Sequence, residues 1–434
     1  MRVLNTVCEI PYFVILFDME FLPEKAFPPS LFAPLKPEAR RLMDGIPALI
    51  DKTFPLPGRF RSALPGNVAE LSRLLTSGRG ERGLSYLGRP EMLSAYLRYF
   101  LPWNLYRLCR LLPGLEINPV ANDRVTDLGC GPLTFAAALW ICRPDLRLLP
   151  LEFYCIDRSG PALEAGKKFF TALAGEKSPW KIHVIRDDIG NAKTQPAALV
   201  CAVNVFNEMH GDISRGGPGG LQRNAEKSVR LLENYATADA SILIAEPGFP
   251  RCGELISLMR KAFIESSRGI ISPCPHEKDC PFPGGQNKRG KERWCHFAFE
   301  TNDAPSALHK LSLAARLPKE RAVLSFFFCG RKKGSAAMPQ LGSGVRQCRN
   351  GERGCGNAAM GNKTAMYTPA RVISDAFTLP YNRYGRYCCS EQGTILLEGE
   401  KSKIEKTASG AFVNVICKKD KKDAKSGVLM AEFP

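Results

Sequence analysis

The sequence predicts an α/β protein: a Rossmann-like, doubly wound sheet carrying a cysteine-rich segment, followed by a small β-rich module. Three observations predict it. From Arg124 onward, short apolar runs alternate with helical patterns, which implies a mostly parallel sheet with helices on both faces. The turn Asp127-Leu-Gly-Cys-Gly-Pro-Leu-Thr134 follows the first run and opens a helix. Beyond residue 366 the pattern becomes short alternating segments with a lysine-dense tail. At roughly 100–200 residues per domain, 434 residues suffice for two or three domains.

The elements follow in order. Residues 1–84 are Pro-rich and mixed, an N-terminal helical and irregular region. Within Met92–Leu112 apolar residues recur at helical spacing, interrupted at Pro102. The aromatics of that stretch, Tyr96, Tyr99, Phe100, Trp103 and Tyr106, are expected in the core. Strands are expected at Val125–Leu128, Leu151–Ile156, Trp180–Ile185, Ala198–Val205, Ser241–Ala245 and Val323–Cys329, with a helix over Phe135–Ile141. Residues 268–300, rich in Cys, Pro, Gly and charge, read as an insertion before the last strand of a domain spanning 85–333. Residues 334–366 are Gly-, Ser- and Asn-rich and read as a flexible linker. Residues 367–434 hold the β-rich module, with segments such as Thr394–Leu397 and Phe412–Ile416.

The charge balance narrows the partners. Sixty Lys and Arg against 43 Asp and Glu give +17 at pH 7, with a pI near 9.3. Such a surplus favours a polyanion, either nucleic acid or an acidic membrane face. No run reaches the roughly 18 apolar residues of a membrane helix. Val3–Phe17 comes nearest, is broken by Glu9 and Pro11, and reads as a buried segment, with a secretion signal as the alternative. Sixteen cysteines are too sparse for a disulfide scaffold of this length and suggest a reducing compartment. The lack of an Arg- and Ser-rich presequence favours a bacterial cytoplasm over a mitochondrial matrix.

The glycine-rich turn points to a nucleotide-type pocket. Gly129 and Gly131 permit a sharp turn and close approach of the backbone to a ligand. Ligands of open α/β sheets sit at the carboxyl ends of the strands. There, Asp127 closes the first strand, Asp157 the second, where it can accept from ribose hydroxyls, and Asp188 follows the third, facing an adenine amine. The pattern resembles motif I of the class I S-adenosylmethionine-dependent methyltransferases, with Thr134 in place of the third glycine of a dinucleotide fold. The exit of the fourth strand reads Asn204-Val-Phe-Asn-Glu-Met-His210. Asn207 and Glu208 offer polar groups to the pocket, but the Asn/Asp-Pro-Pro-aromatic loop of amino-methylating enzymes is missing. No catalytic base stands out.

A second constellation is built from sulfur. Cys274, Cys280 and Cys295 lie at C-x5-C-x14-C in a polar, Pro-flanked segment, unlike Cys109, Cys142, Cys155 and Cys201, which read as inert core residues. Converging thiolates bind zinc or iron–sulfur clusters. A closed site needs a fourth donor, from His276, His296, Cys329 or the pair Cys388-Cys389. Spacing leaves zinc and iron–sulfur both open.

Taken together, these features resemble one family: the methyltransferase-like proteins of the mitochondrial small ribosomal subunit and their bacterial relatives. The residues that carry the resemblance are Tyr86-Leu-Gly-Arg-Pro90, Tyr96 to Pro102, Asp127 to Pro132, Asn207-Glu208, Glu246-Pro-Gly248, Cys274-Pro-His, Cys280-Pro, Trp294-Cys-His-Phe297 and the Ser325-Phe-Phe strand. They span roughly 85–333, with a weaker echo at 370–425. The resemblance implies a [4Fe-4S] cluster on Cys274, Cys280, Cys295 and a cysteine of the C-terminal module, Cys389, with Cys388 in reserve. It implies S-adenosylmethionine at Asp127, Gly129, Gly131, Asp157, Asp188 and Asn207. It implies binding to rRNA of the small ribosomal subunit during its assembly. The expected protein is monomeric and not bound to a membrane. Basic runs agree with an RNA partner: Lys288, Arg289, Lys291 and Arg293; Arg331, Lys332 and Lys333; Lys418, Lys419, Lys421, Lys422 and Lys425. An active S-adenosylmethionine-dependent rRNA methyltransferase and a zinc-containing RNA-binding module are the alternatives.

Overall fold

The computed structural model describes residues 30–76, 86–209, 219–282, 294–332 and 367–434. The Val3–Phe17 segment, His210, the 334–366 linker and Lys288, Arg289, Lys291, Arg293 and Lys333 lie outside the described residues.

Eight strands form one sheet: β1 (Arg124–Leu128), β2 (Glu152–Asp157), β3 (Lys181–Arg186), β4 (Ala197–Val203), β5 (Ala236–Pro247), β6 (Arg268–Ser272), β7 (Phe297–Glu300) and β8 (Arg321–Arg331). Their order is β3-β2-β1-β4-β5-β8-β6, and β7 also pairs with β8. Strands β1 to β5 pair in parallel, and β8 runs antiparallel to β5. This is the class I methyltransferase arrangement. The strand β8 shows why both faces are covered. Phe326 and Phe328 enter one core, while Phe327 and Cys329 enter the other. Successive side chains of a strand alternate between faces, so a strand buried on both sides is apolar throughout.

The helices are α1 (Pro37–Thr53), α2 (Gly58–Arg61), α3 (Leu64–Leu75), α4 (Pro90–Ala95), α5 (Leu101–Leu111), α6 (Thr134–Cys142), α7 (Gly160–Ala174), α8 (Phe206–Met209), α9 (Gly220–Asn234), α10 (Pro250–Glu265) and α11 (Ser306–Ala314). Helices α1, α5, α6 and α7 bury Met43, Leu105, Phe135 and Phe169 on one face of the sheet. On the other face, α9 and α10 bury Val229, Leu232, Met259 and Phe263. Between α4 and α5 the chain widens into a π turn, Tyr96–Phe100. Pro102, in the first turn of α5, has no N–H to continue the ladder.

Residues 268–300 begin and end in two strands of the sheet, β6 and β7. Both pair antiparallel with β8 along the same edge, β6 through Phe328–Arg331 and β7 through Arg321–Leu324. The chain therefore leaves that edge at Ser272 and returns to it at Phe297.

The remaining residues form a barrel: β9 (Tyr367–Val372), β10 (Phe377–Leu379), β11 (Arg383–Ser390), β12 (Gly393–Gly399), β13 (Phe412–Lys422) and β14 (Leu429–Glu432), with α12 (Lys401–Lys406) between β12 and β13. The sheet runs β10-β11-β12-β14-β13-β9, and β9 pairs with β11 to close it. Val372, Cys388, Ile395, Leu397, Val413 and Val415 fill the interior. Ser30 bridges to Ala411, and the Phe32 ring lies against Gly410 (φ +81), where a Cβ would stand 2.8 Å from it. The same ring meets Phe297, Phe299 and Phe326, so it joins the barrel to the larger sheet.

Candidate functional site

The Gly-rich loop stands at the carboxyl end of β1. Gly129 and Gly131 have φ +62 and +53, conformations that favour glycine. At Gly129 an added Cβ would meet Val205 Cγ2 at 2.6 Å, whereas at Gly131 the nearest atom is the Tyr96 hydroxyl at 3.9 Å. Space therefore opens at Gly131. Its N–H donates to Asp157 Oδ2 at 2.9 Å, and Asp157 Oδ1 accepts from Ser159 N at 2.8 Å. Burial raises the Asp157 carboxyl above its ordinary range. Asp127 is buried beneath the loop. Its Oδ1 accepts from Cys201 Sγ at 3.4 Å, and its Oδ2 has no hydrogen-bond partner. Burial pushes this carboxyl up to about 8, so it is largely neutral at pH 7. Asp188 lies two residues beyond β3, where its Oδ1 accepts from Gly190 N at 2.8 Å and its Oδ2 lies 3.9 Å from Arg158.

Asn207, expected at the cofactor, donates from its Nδ2 to Glu246 Oε2 at 2.7 Å. Glu246 ends β5, fully buried, and also accepts from the backbone N–H groups of Val205, Phe206 and Asn207 at 3.0, 2.8 and 3.3 Å. Burial pushes its carboxyl up to about 7, against the pull of these donors. Glu246, Asn104, Arg107 and Asn204 line a small cleft between α5 and the strand ends. The buried Tyr96 side chain stands beside Asp157 and Glu208, whose charges, added to burial, raise its phenol. Tyr96 was read as core, and Glu246 received no role from the sequence. A carboxylate at a strand's carboxyl end, the signal that found Asp127 and Asp157, also marks Glu246.

The thiols gather beside the middle of β8, between the end of β6 and the start of β7. Cys274 lies two residues beyond β6 and Cys295 two before β7, so the shared β8 edge returns them to one place. Ser325 Oγ donates to Cys295 O at 2.8 Å. Burial, then the neighbouring thiols of Cys274, Cys280 and Cys389, raise the Cys295 pKa. Cys389 reaches this place from the barrel: it pairs with Arg371 across β11 and β9, and Arg371 Nε donates to Pro273 O at 2.8 Å. Two guanidiniums face the thiols. Arg260, on α10, donates to the carbonyls of His276 and Lys278 at 2.7 and 2.8 Å. Arg371 is buried enough to fall to about 10.

The other proposed donors are placed differently. His276 Nε2 lies 3.4 Å from Cys389 Sγ. His296 stacks on Trp294 and faces Asp375 and Arg321. Cys329 sits in the opposite core beside Arg268 and Glu233. Cys388 points into the barrel. Among the described residues, no three His, Cys, Asp or Glu side chains converge closely enough to hold a metal ion. Three buried polar atoms around the thiols, Arg260 Nε, His276 Nδ1 and Ser272 Oγ, have no hydrogen-bond partner.

The described basic runs are partly ion-paired. Arg331 meets Asp239 and Lys332 meets Glu277, each at 2.8 Å. Lys418 meets Glu398 and Glu432 at 3.0 and 2.6 Å, while Lys422 and Lys425 are exposed. No helix among the described residues is long and apolar enough to cross a membrane.

Comparison with known proteins gives one family match. Residues 121–352 match the family described as mitochondrial small ribosomal subunit Rsm22. No functionally curated protein gives a match. Solved structures similar to the chain include a putative class I S-adenosylmethionine-dependent methyltransferase from Listeria monocytogenes, with 11% identity, 70% of this chain and 90% of that chain covered, and a TM-score of 0.33. Magnesium protoporphyrin IX methyltransferase from Synechocystis PCC 6803, solved with bound S-adenosylmethionine, has 10% identity, covers 61% and 96%, and has a TM-score of 0.32. Ribosomal protein L11 methylase from Lactobacillus delbrueckii subsp. bulgaricus has 15% identity, covers 38% and 69%, and has a TM-score of 0.26.

Proposed function

Because the chain belongs to the family of mitochondrial small ribosomal subunit Rsm22, we propose that it binds small-subunit rRNA and acts in assembly of that subunit, carrying a [4Fe-4S] cluster. The observation that supports this reading is the nearness of four thiols from two separate sheets, Cys274, Cys280 and Cys295 with Cys389, between Arg260 and Arg371, although among the described residues no three of them converge closely enough to hold a metal ion. Four sulfur donors suit an iron–sulfur cluster. Two cations suit the negative charge that thiolate ligation brings, and the unpartnered Arg260 Nε and His276 Nδ1 leave donors for it. When bound, the cluster would cross-link the barrel to the larger sheet, coupling its loading to their docking. The contact between His276 and Cys389 favours a zinc site with three cysteines and one histidine as the second reading.

S-adenosylmethionine would lie over Gly129 and Gly131 at the carboxyl ends of β1 and β2, with Asp157 at the ribose and Asp188 near the adenine. Asp127 would support the loop from below. Asn207 and Glu246 bind each other at the exit of β4, where a methyl-acceptor clamp would be sought. This favours a binding factor over an active rRNA methyltransferase. The family's mitochondrial description favours the mitochondrial matrix over a bacterial cytoplasm for this chain.

Protein prepared under argon should show iron, sulfide and broad absorbance near about 400 nm. Cys389→Ala should lose the iron, while Cys388→Ala, whose thiol lies inside the barrel, should keep it. Stoichiometric zinc in a colourless protein would replace the cluster by the second reading. Tritium transfer from labelled cofactor to immature small subunits would establish the methyltransferase instead.

A further inference from the structure

The barrel offers a surface that neither the cleft nor the thiols use. Its strands close in the order β9-β11-β12-β14-β13 and back to β9. Strands β12 and β14 are parallel, and α12 lies between the third and fourth barrel strands. This is the connectivity of the OB-fold, in which strands two and three, with the loops joining strands one to two and four to five, bind oligonucleotides. Connectivity alone assigns no function. The side chains at these positions are therefore decisive.

The connection between the first and second barrel strands contains β10 and ends in a three-residue turn, Pro380 to Asn382, between the paired residues Leu379 and Arg383; Tyr381 and Asn382 have φ +60 and +56. The turn holds the Tyr381 ring 97% exposed. Next to it in sequence, Arg383 lies 3.2 Å from Glu398 on β12. Lys418 and Lys421 of β13 lie 3.0 and 3.9 Å from the same carboxylate. Glu398 thus ties the two loop bases together and fixes three cations around one buried anion. Lys422, the last residue of β13, and Lys425, in the loop to β14, are exposed. At the far end of β11, Tyr387 and Cys389 pack against the larger sheet's core, so the Tyr381 end is the free one.

We infer that this end of the barrel binds single-stranded RNA. Tyr381 stacks on an unpaired base, while Arg383, Lys421 and Lys425 meet phosphates. An exposed ring at a turn tip needs a base outside a duplex, which favours single-stranded over double-stranded RNA. The inference deepens the proposed rRNA binding and rests on it.

The test uses the full chain and a labelled single-stranded RNA of roughly a dozen nucleotides, followed by fluorescence anisotropy beside a duplex of the same sequence. Tyr381→Ala should weaken binding on the order of tenfold, and Tyr381→Phe should restore it. Joint Lys421→Ala and Lys425→Ala should lower the slope of log affinity against log salt by about 1.4, at about 0.7 per single-strand phosphate contact. Unaltered affinity in Tyr381→Ala, or equal affinity for the duplex, overturns the inference. If wild-type protein still crosslinks to small-subunit rRNA in that case, the proposed function stands without it. Failure of the wild type to bind small-subunit rRNA at all overturns both.

Discussion

Helix α7 crosses the Gly-rich loop at Gly166. A Cβ there would stand 2.6 and 2.7 Å from Pro132 C and Cα, and 2.8 Å from Leu133 Cδ1. Glycine to alanine inside a helix ordinarily gains about 1 kcal/mol. Gly45, in α1 with nothing within 4 Å of an added Cβ, is the internal reference and should show that gain. At Gly166 two of the three contacts are backbone carbons, which cannot rotate aside. Overpacking of this kind costs about 1–3 kcal/mol, and contacts under 3 Å belong to the upper part of that range. The expected result is a net loss of about 1–2 kcal/mol for Gly166→Ala, about 2–3 kcal/mol below Gly45→Ala. Urea unfolding followed by tryptophan fluorescence reads both variants. Because the contact lies behind the loop that places Gly131, calorimetry should also show weaker S-adenosylhomocysteine binding for Gly166→Ala alone. A Gly166→Ala protein that unfolds at the wild-type urea concentration or above would refute the packing argument.

Glu246→Gln replaces one acceptor oxygen by a donor, so two buried N–H groups lose their partner at whichever oxygen is changed. At about 1–3 kcal/mol for each unsatisfied group, a loss of about 2–6 kcal/mol is expected in thermal melts, and an unchanged melting temperature would sink this accounting. The pH dependence follows from carboxyls raised by burial. The Asp127 carboxyl moves from 3.8 to about 8, so its contribution is fully present below about 4 and is lost as pH rises through about 8. Glu246 adds the same sign, from 4.5 through about 7. Melting temperature should fall as pH rises through this window, and Asp127→Asn should flatten the alkaline part. An alkaline slope identical in the variant would assign that slope to another group.

The parallel half of the sheet was legible because β1, β2, β4 and β5 contain apolar runs closed by turn residues or carboxylates. The strands β6 and β7 were not. They have five and four residues, too few for a period to separate strand from loop. Missing them hid the reason that Cys274 and Cys295 meet, which is a shared edge of β8 and not their spacing. The hydrogen bond between Asn207 and Glu246 joins residues 39 apart in sequence, and no local pattern reports such a pairing. Alternation in the C-terminal segments revealed strands with an inner face. Which strands pair, and that β9 closes on β11, is a long-range property that alternation does not encode.

Two kinds of contact join the barrel to the larger sheet, and they differ in strength. The ion pairs Arg321–Asp375 and Lys278–Glu391 stand largely in solvent, where each contributes about 0–1 kcal/mol. The buried contacts are the Phe32 ring and the neighbourhood of Arg371, which donates to Pro273 O and to Gly410 O. Arg371 carries its charge into this neighbourhood and faces Cys274, Cys295 and Cys389, whose thiols burial keeps protonated and neutral. A buried cation beside neutral groups is poorly compensated; beside thiolates it is well compensated. Docking of the barrel is therefore tied to the charge state of the sulfur atoms at its foot, more than to the salt bridges along its rim.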